Sequence, residues 1–308
     1  MKIGFLFPGQ GSQSVGMGKD LYNKYNEVKQ VYEDCYKITG IDVAKLTFDS
    51  SEEVLFQTKN TQIAILIMSL GILKVLEKNN IKPEYAAGLS LGEYTALICG
   101  NAISFEDGVK IVQKRGELMQ KYVPEGNWLM AAILGLEDSK VEEICKNVKS
   151  GFVVPANYNC TGQVAISGDE KGINEAEKLA KEAGAKKVSI LKTSGPFHTE
   201  KLEEASKHLK EELEKIKIDY PKINVIKNID ATPYKEGDNI VEILANHVIN
   251  PVKFTDSIKY MIDNGVDTFV EIGPGKTLTS FVKRISRDVR LININSVESL
   301  EEFSQKFL

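Results

Sequence analysis

Three short patterns in this chain carry residues that could do chemistry together. The first is Gly88-Leu89-Ser90-Leu91-Gly92. It follows a short apolar run, Tyr85 to Ala87, and opens an apolar helix-like run, Tyr94 to Ile98. A serine flanked by glycines between strand and helix is the nucleophile-elbow pattern, which leaves the hydroxyl exposed at a sheet end. The N–H groups that open the following helix suit a developing oxyanion there. A five-residue pattern also arises by chance, and a serine is a poor nucleophile unless a base takes its proton. His198, in Gly195-Pro-Phe-His198 just ahead of a charged helix, is placed to be that base. An unperturbed imidazole titrates near ~6.5 and so moves protons around neutrality. The same residue would also read as a surface-loop histidine. Of the other two histidines, His208 falls in the charged run Glu200 to Lys217 and reads as solvated.

Arg115 is the third candidate. The chain has four arginines, Arg115, Arg284, Arg287 and Arg290, and lysine does nearly all the other cationic work. Arg115 sits among Ile111, Val112, Leu118 and Met119, on what reads as a buried helix face. Only a planar guanidinium offers the two-pronged grip on a carboxylate. A clamp on an anionic substrate and a structural ion pair to a buried Asp or Glu both fit.

The elements that must position these groups follow from patterning. Lys2 to Phe7 is a strand buried on both faces, running into Pro8-Gly9-Gln10-Gly11-Ser12. A dinucleotide fingerprint would need glycine at 14, where Ser14 stands, so the loop reads as a donor of N–H groups or as a plain turn. Polar helix-like sequence follows to about Lys37, and Ile63 to Leu76 is apolar on nearly every face. Ser104-Phe-Glu-Asp107 has the form of a capping box opening a helix to about Tyr122. Pro124-Glu-Gly126 marks a boundary. Beyond it come strand Trp128 to Leu136, helix Asp138 to Val148, strands Phe152 to Asn157 and Gln163 to Ser167, helix Lys171 to Ala183 and strand Lys186 to Leu191. That order is the split βαββαβ arrangement. Further strands are expected at Ile223 to Ile229, Thr268 to Gly273 and Val289 to Ile294. Gly275-Lys276-Thr277 imitates a phosphate loop, but the glycine such a loop needs at 270 is Val270. The expected fold is α/β. A large α/β-hydrolase-like domain (1–123 and 195–308) has a mostly parallel sheet, and a small ferredoxin-like domain (124–194) is inserted in it.

Bulk properties set outer bounds. With 308 residues, 42% hydrophobic and 27% charged, the chain reads as globular and of about two domains. A net charge of −4 argues against nucleic acid as the main partner. Cys35, Cys99, Cys145 and Cys160 lie far apart, so neither a disulfide framework nor a zinc site is expected, and a cytoplasmic setting fits. Ile3 to Phe7 is too short for a signal-peptide core, and the uncharged run Asn60 to Leu73 falls short of the roughly 18 residues a membrane span needs.

Taken together the pieces resemble the malonyl-CoA:acyl-carrier-protein transacylases of fatty-acid synthesis. The matching stretches are FPGQGSQ (Phe7 to Gln13), GLSLGEY (Gly88 to Tyr94), KRGELMQ around Arg115 and NYNCTGQVAISG from Asn157, then PFH (Pro196 to His198), NPV (Asn250 to Val252) and EIGPGKTL from Glu271. The ordered set spans nearly the whole chain. The resemblance implies Ser90 as the acyl-accepting nucleophile, His198 as its base, and the backbone N–H groups of Gln10 and Leu91 as the oxyanion hole. Arg115 would hold the malonyl carboxylate. A main-chain carbonyl, by position that of His247 where glutamine is more usual, would orient His198. A hydrolase of the common kind places an acid between Ser and His. No acidic residue with a convincing setting stands between Ser90 and His198, and a backbone acceptor past His198 removes that difficulty. Phe197 fits selection of malonyl over methylmalonyl, a preference of only ~1–3 kcal/mol. Leu89 replaces a frequent histidine, and Asn127-Trp128-Leu129 stands where smaller residues are usual, at the domain hinge. The implied reaction is ping-pong malonyl transfer from malonyl-CoA to an acyl carrier protein, with no cofactor and no metal. The protein is expected to be a monomer without membrane or nucleic-acid partners. Lys186, Lys187, Lys192, Lys276 and Arg284 are candidates for docking the acidic carrier. A serine thioesterase, a non-catalytic carrier-binding module and a polyketide-pathway loading enzyme are the competing readings.

Overall fold

The computed structural model describes residues 1–193 and 195–307. Position 194, where the expected domain boundary falls, and position 308 lie outside them. Five strands form one sheet: β1 (Ile3–Phe7), β2 (Tyr85–Gly88), β7 (Asn224–Val225), β8 (Thr268–Ile272) and β9 (Arg290–Ile294), in the order β7-β2-β1-β8-β9. Every pairing in it is parallel. A parallel sheet is covered on both faces, which is why β1, β2 and β8 are buried at every residue. The other four strands are β3 (Trp128–Leu134), β4 (Val153–Cys160), β5 (Gln163–Asp169) and β6 (Lys187–Ile190), in the order β4-β5-β3-β6 and antiparallel throughout. With helices Asp138–Asn147 and Glu170–Glu182 they make the ferredoxin-like unit, which has its own core around Ile133, Val141, Val164 and Ile173.

Helix Thr58–Lys78 is the centre of the large layer. By length and composition alone it could cross a bilayer, but 83% of its most apolar window is buried in the protein. Beside it runs Phe105–Lys121, opened by the capping box: Ser104 Oγ accepts from Asp107 N at 3.0 Å. This helix carries Arg115 into the core.

Several elements differ from the sequence expectation. The polar stretch to Lys37 is two helices, Lys19–Lys24 and Asn26–Thr39, separated at Tyr25, which is extended. Strand β7 is two residues long rather than seven. Beyond Ile226 the chain leaves the sheet in a turn in which Lys227 N–H donates to Thr232 O and Ala231 takes a φ of 59°. That early exit puts Asn228 under the elbow.

The elbow is built by close approach. A Cβ at Gly88 would sit 1.9 Å from Gly92 C, and one at Gly92 would sit 2.0 Å from Phe7 O. Gly9 is equally constrained, its Cβ position lying 2.2 Å from Leu89 O. The β1 loop is therefore packed directly on the elbow. Gly92→Ala should lower stability by at least ~1–3 kcal/mol through overpacking against backbone that cannot move aside. Urea unfolding checks this; an unchanged midpoint would mean the approach is slacker than described.

Candidate active site

The tight turn forces Ser90 to a φ of 54°, a left-handed conformation uncommon outside glycine. Strain of this kind persists only where the surroundings over-determine it. Here Ser90 N–H donates to Asn228 Oδ1 at 2.8 Å, and Asn228 Nδ2 donates to Gly88 O at 2.7 Å. The hydroxyl then projects into a cleft of about 490 Å³ between the two sheets. Gln10, Ser90, Arg115 and His198 line it from one side, and Met130, Asn157 and Gln163 from the other.

His198 reaches the same point from a loop 108 residues later, its Nε2 2.8 Å from Ser90 Oγ. It too is held left-handed, at φ 60°. Its Nδ1 lies 3.0 Å from His247 O and 3.1 Å from Asn250 O. Carbonyls only accept, so the proton belongs on Nδ1 and the Nε2 lone pair faces the serine. The expected His247 carbonyl thus has a second, that of Asn250, beside it. Burial and the nearby Arg115 charge push the imidazole down to about 4, with its two backbone hydrogen bonds opposing. It is a neutral acceptor at neutral pH.

Arg115 is 1% exposed. Its two terminal nitrogens donate to Gln62 Oε1 at 2.6 Å and to Ser90 Oγ at 3.1 Å. Its guanidinium carbon stands 5.4 Å from the Tyr94 ring centre, and among the described residues its Nε has no hydrogen-bond partner. Among the described residues no carboxylate comes within salt-bridge distance, so the structural ion pair left open by the sequence is not formed. The β1 loop is braced by Gly11 N–H to Gln13 Oε1 at 2.7 Å and Ser12 Oγ–H to Gly9 O at 2.8 Å. Among the described residues, the N–H groups of Gln10 and Leu91 have no intramolecular acceptor. Phe197, 5% exposed, lines the cleft next to His198.

Sequence reasoning missed four participants. Gln62 comes from the central helix, and Asn228 and Tyr234 from the turn after β7. Glu93 lies one helical step past the elbow, 1% exposed, accepting from Tyr234 O–H at 2.6 Å. An acid with a defined setting does therefore stand between Ser90 and His198 in the chain. It faces His247 Nδ1 at 3.1 Å, not His198. Only its place after Ser90 could have drawn notice. Trp128, at the hinge, is not in the cleft lining; it donates to Pro124 O at 2.9 Å and packs edge-on to Phe152. His208 is half-exposed and stacks on Tyr122.

This geometry can be set beside known proteins. The chain matches the family described as acyl transferase domain over residues 4–301. It is 41% identical over 302 residues to a malonyl CoA-acyl carrier protein transacylase of Bacillus subtilis, covering 97% of this chain and 95% of that one. The chain belongs to the malonyl CoA-acyl carrier protein transacylases. A solved transacylase of this name from Clostridium perfringens is 43% identical, covers 100% of this chain and 97% of that one, and superposes with a TM-score of 0.95. Another transacylase structure, a type II PKS acyl-carrier protein in complex with its malonyl-transacylase, is 35% identical, with coverage of 99% and 100% and a TM-score of 0.96. The large parallel sheet with its separate antiparallel sheet is thus the transacylase fold, and the chain is an acyltransferase.

The depressed His198 has two consequences. A unfolded chain, whose imidazole titrates near ~6.5, binds more protons than the folded one as pH falls below that value, so this group withdraws stability between there and about 4. In an NMR titration of the imidazole carbon protons, His198 should titrate near 4, and Arg115→Gln should move it upward by removing a repelling charge. A midpoint near ~6.5 in both proteins would contradict the burial argument.

Proposed function

We propose that this transacylase moves a malonyl group from malonyl-CoA to the phosphopantetheine thiol of an acyl carrier protein in fatty-acid synthesis, through a malonyl-serine intermediate. What carries the reading is Arg115: a buried guanidinium with no carboxylate of its own, 3.1 Å from the Ser90 hydroxyl. A three-carbon diacid esterified at Ser90 would bring its free carboxylate to that guanidinium, displacing the weaker hydroxyl contact.

In the first half-reaction His198 Nε2 takes the Ser90 proton as Oγ attacks the thioester carbon. The oxyanion is held by the Gln10 and Leu91 N–H groups. The carbon–sulfur bond breaks, and His198 returns the proton to the departing CoA thiolate. The carrier thiol repeats the sequence in reverse, giving its proton to His198 and leaving Ser90 free. His247 O and Asn250 O keep the imidazole aimed throughout. A bound malonyl carboxylate also offsets the Arg115 charge that depresses His198. The base therefore strengthens when the right substrate is in place. The proposal needs no metal and no organic cofactor. Phe197 narrows the space for an α-methyl branch. All four cysteines are buried and unpaired, which fits a cytoplasmic setting.

The carrier docks, in this reading, on the basic rim of the cleft. Arg284 is held there by Gln163 Oε1 at 2.9 Å, and a shallow depression next to it is lined by Lys283, Arg284 and Arg287. Lys186 and Lys187 lie at the β6 edge and Lys276 at the start of helix Thr277–Ile285. Lys192 is already paired with Glu52 at 2.9 Å, an exposed contact that a partner can replace. The carrier of a polyketide pathway is the second reading, on the strength of the related type II PKS complex.

Incubation with malonyl-CoA should add one malonyl group to the intact protein mass, and Ser90→Ala should abolish it; an unchanged adduct in the variant would overturn the assignment. Arg115→Lys should impair malonyl transfer far more than acetyl transfer, since acetyl has no carboxylate; equal losses would contradict the clamp. Rapid hydrolysis of malonyl-CoA without carrier would point to a thioesterase. Charge reversal at Arg284 should weaken carrier binding, most strongly at low salt; affinity independent of salt would rule out this surface.

A further inference from the structure

Glu93 takes no part in the chemistry above, yet its carboxyl group contacts one residue that supports Ser90 and one that supports His198. Its Oε1 accepts from Tyr234 O–H at 2.6 Å and from Asn228 N–H at 3.3 Å. Asn228 is the residue whose side chain clasps the elbow at Ser90 N and Gly88 O. Its Oε2 lies 3.1 Å from His247 Nδ1, off the line of a straight hydrogen bond. His247 is the residue whose carbonyl receives the His198 Nδ1 proton, and the two rings stand 5.1 Å apart. From a single carboxyl group one path thus runs to the nucleophile and another to the base.

A carboxyl and an imidazole, each 1% exposed, are a costly pair to bury unless they serve each other. Burial raises Glu93 to about 7, against the pull of Tyr234 and Asn228. Burial, with the charges of His198 and Arg115, holds His247 well below its ordinary value. Neither group favours its charged form. A protonated Glu93 carboxyl beside a neutral His247 imidazole meets both needs, with Oε2 and Nδ1 in contact at 3.1 Å.

We propose that Glu93 is a positioning residue for acyl transfer: through Asn228 it fixes the turn that carries Ser90, and through His247 it fixes the carbonyl that aims His198. This rests on the Ser90–His198 reading of the site. Displacing a reacting group by an ångström costs on the order of 10²-fold in rate.

The test is steady-state malonyl transfer by Glu93→Ala, Glu93→Gln, Asn228→Ala and His247→Ala, with each preparation counted by the fraction of chains that acquire malonyl mass at long times. That count removes unfolded protein from the comparison. Glu93→Ala should lower kcat per acylatable serine by on the order of 10²-fold with KM for malonyl-CoA little changed. Glu93→Gln should retain most of kcat, because its amide oxygen still accepts from Tyr234 and Asn228 and its NH₂ donates to His247. Should Glu93→Ala not fold, Asn228→Ala and His247→Ala each cut one path and should each lower kcat on the same count. Unchanged kcat per acylatable serine in these variants, with only stability lost, overturns the proposal. An absence of malonyl adduct in the wild-type protein would instead refute the function reading itself.

Discussion

The site depends on how closely three stretches of backbone approach one another. Gly9, Gly88 and Gly92 bring the β1 loop, the end of β2 and the elbow helix so near that no side chain fits between them. Ser90 is the residue left over: the turn drives it left-handed, and the Asn228 side chain holds it there. The same approach brings Gln10 and Leu91 into the lining of the cleft. Positioning is thus set by steric exclusion in the sheet core, and the polar groups inherit it.

Among the described residues, Arg115 stands at that scaffold as a buried cation with no carboxylate in salt-bridge contact. Arg115 is buried beside a base that it discourages from protonating, and its near neighbours are amide, hydroxyl and aromatic groups. A buried cation is expensive unless something pairs with it. In the proposed reaction, the partner that would relieve the cost is the substrate's own carboxylate. In that proposed reaction, specificity for a diacid half-thioester and activation of His198 would then arise from the same interaction. Glu93, the nearest buried acid, is engaged with Tyr234, Asn228 and His247 and does not compete for the guanidinium.

What could be read from the sequence was what rests on local rules. The Ser104 cap, the apolar helix through Ile63 to Leu76 and the glycine spacing of the elbow each have a signature within about one or two helical turns of sequence. Ser90, His198 and Arg115 stood out by residue type and scarcity, and the structure brings all three together. What escaped notice is set by tertiary placement. Strand β7 stops at Val225 because the chain turns down to bring Asn228 beneath a serine 138 residues earlier, and no periodicity records that. Gln62 lies on a helix whose apolar surroundings hide a polar contact, and Glu93 looks like an ordinary first-turn acid. Trp128 drew attention as the lone tryptophan, yet it serves the base of the small sheet and not the cleft.

The most direct test of the account is a crystal structure of the protein soaked with malonyl-CoA and trapped before carrier is added. The account predicts density continuous from Ser90 Oγ into a three-carbon acyl group, with its carbonyl oxygen toward the Gln10 and Leu91 N–H groups and its carboxylate on the Arg115 guanidinium. An acyl group on any other residue, or one whose carboxylate points to solvent while Arg115 stays on Gln62 and Ser90, would contradict it.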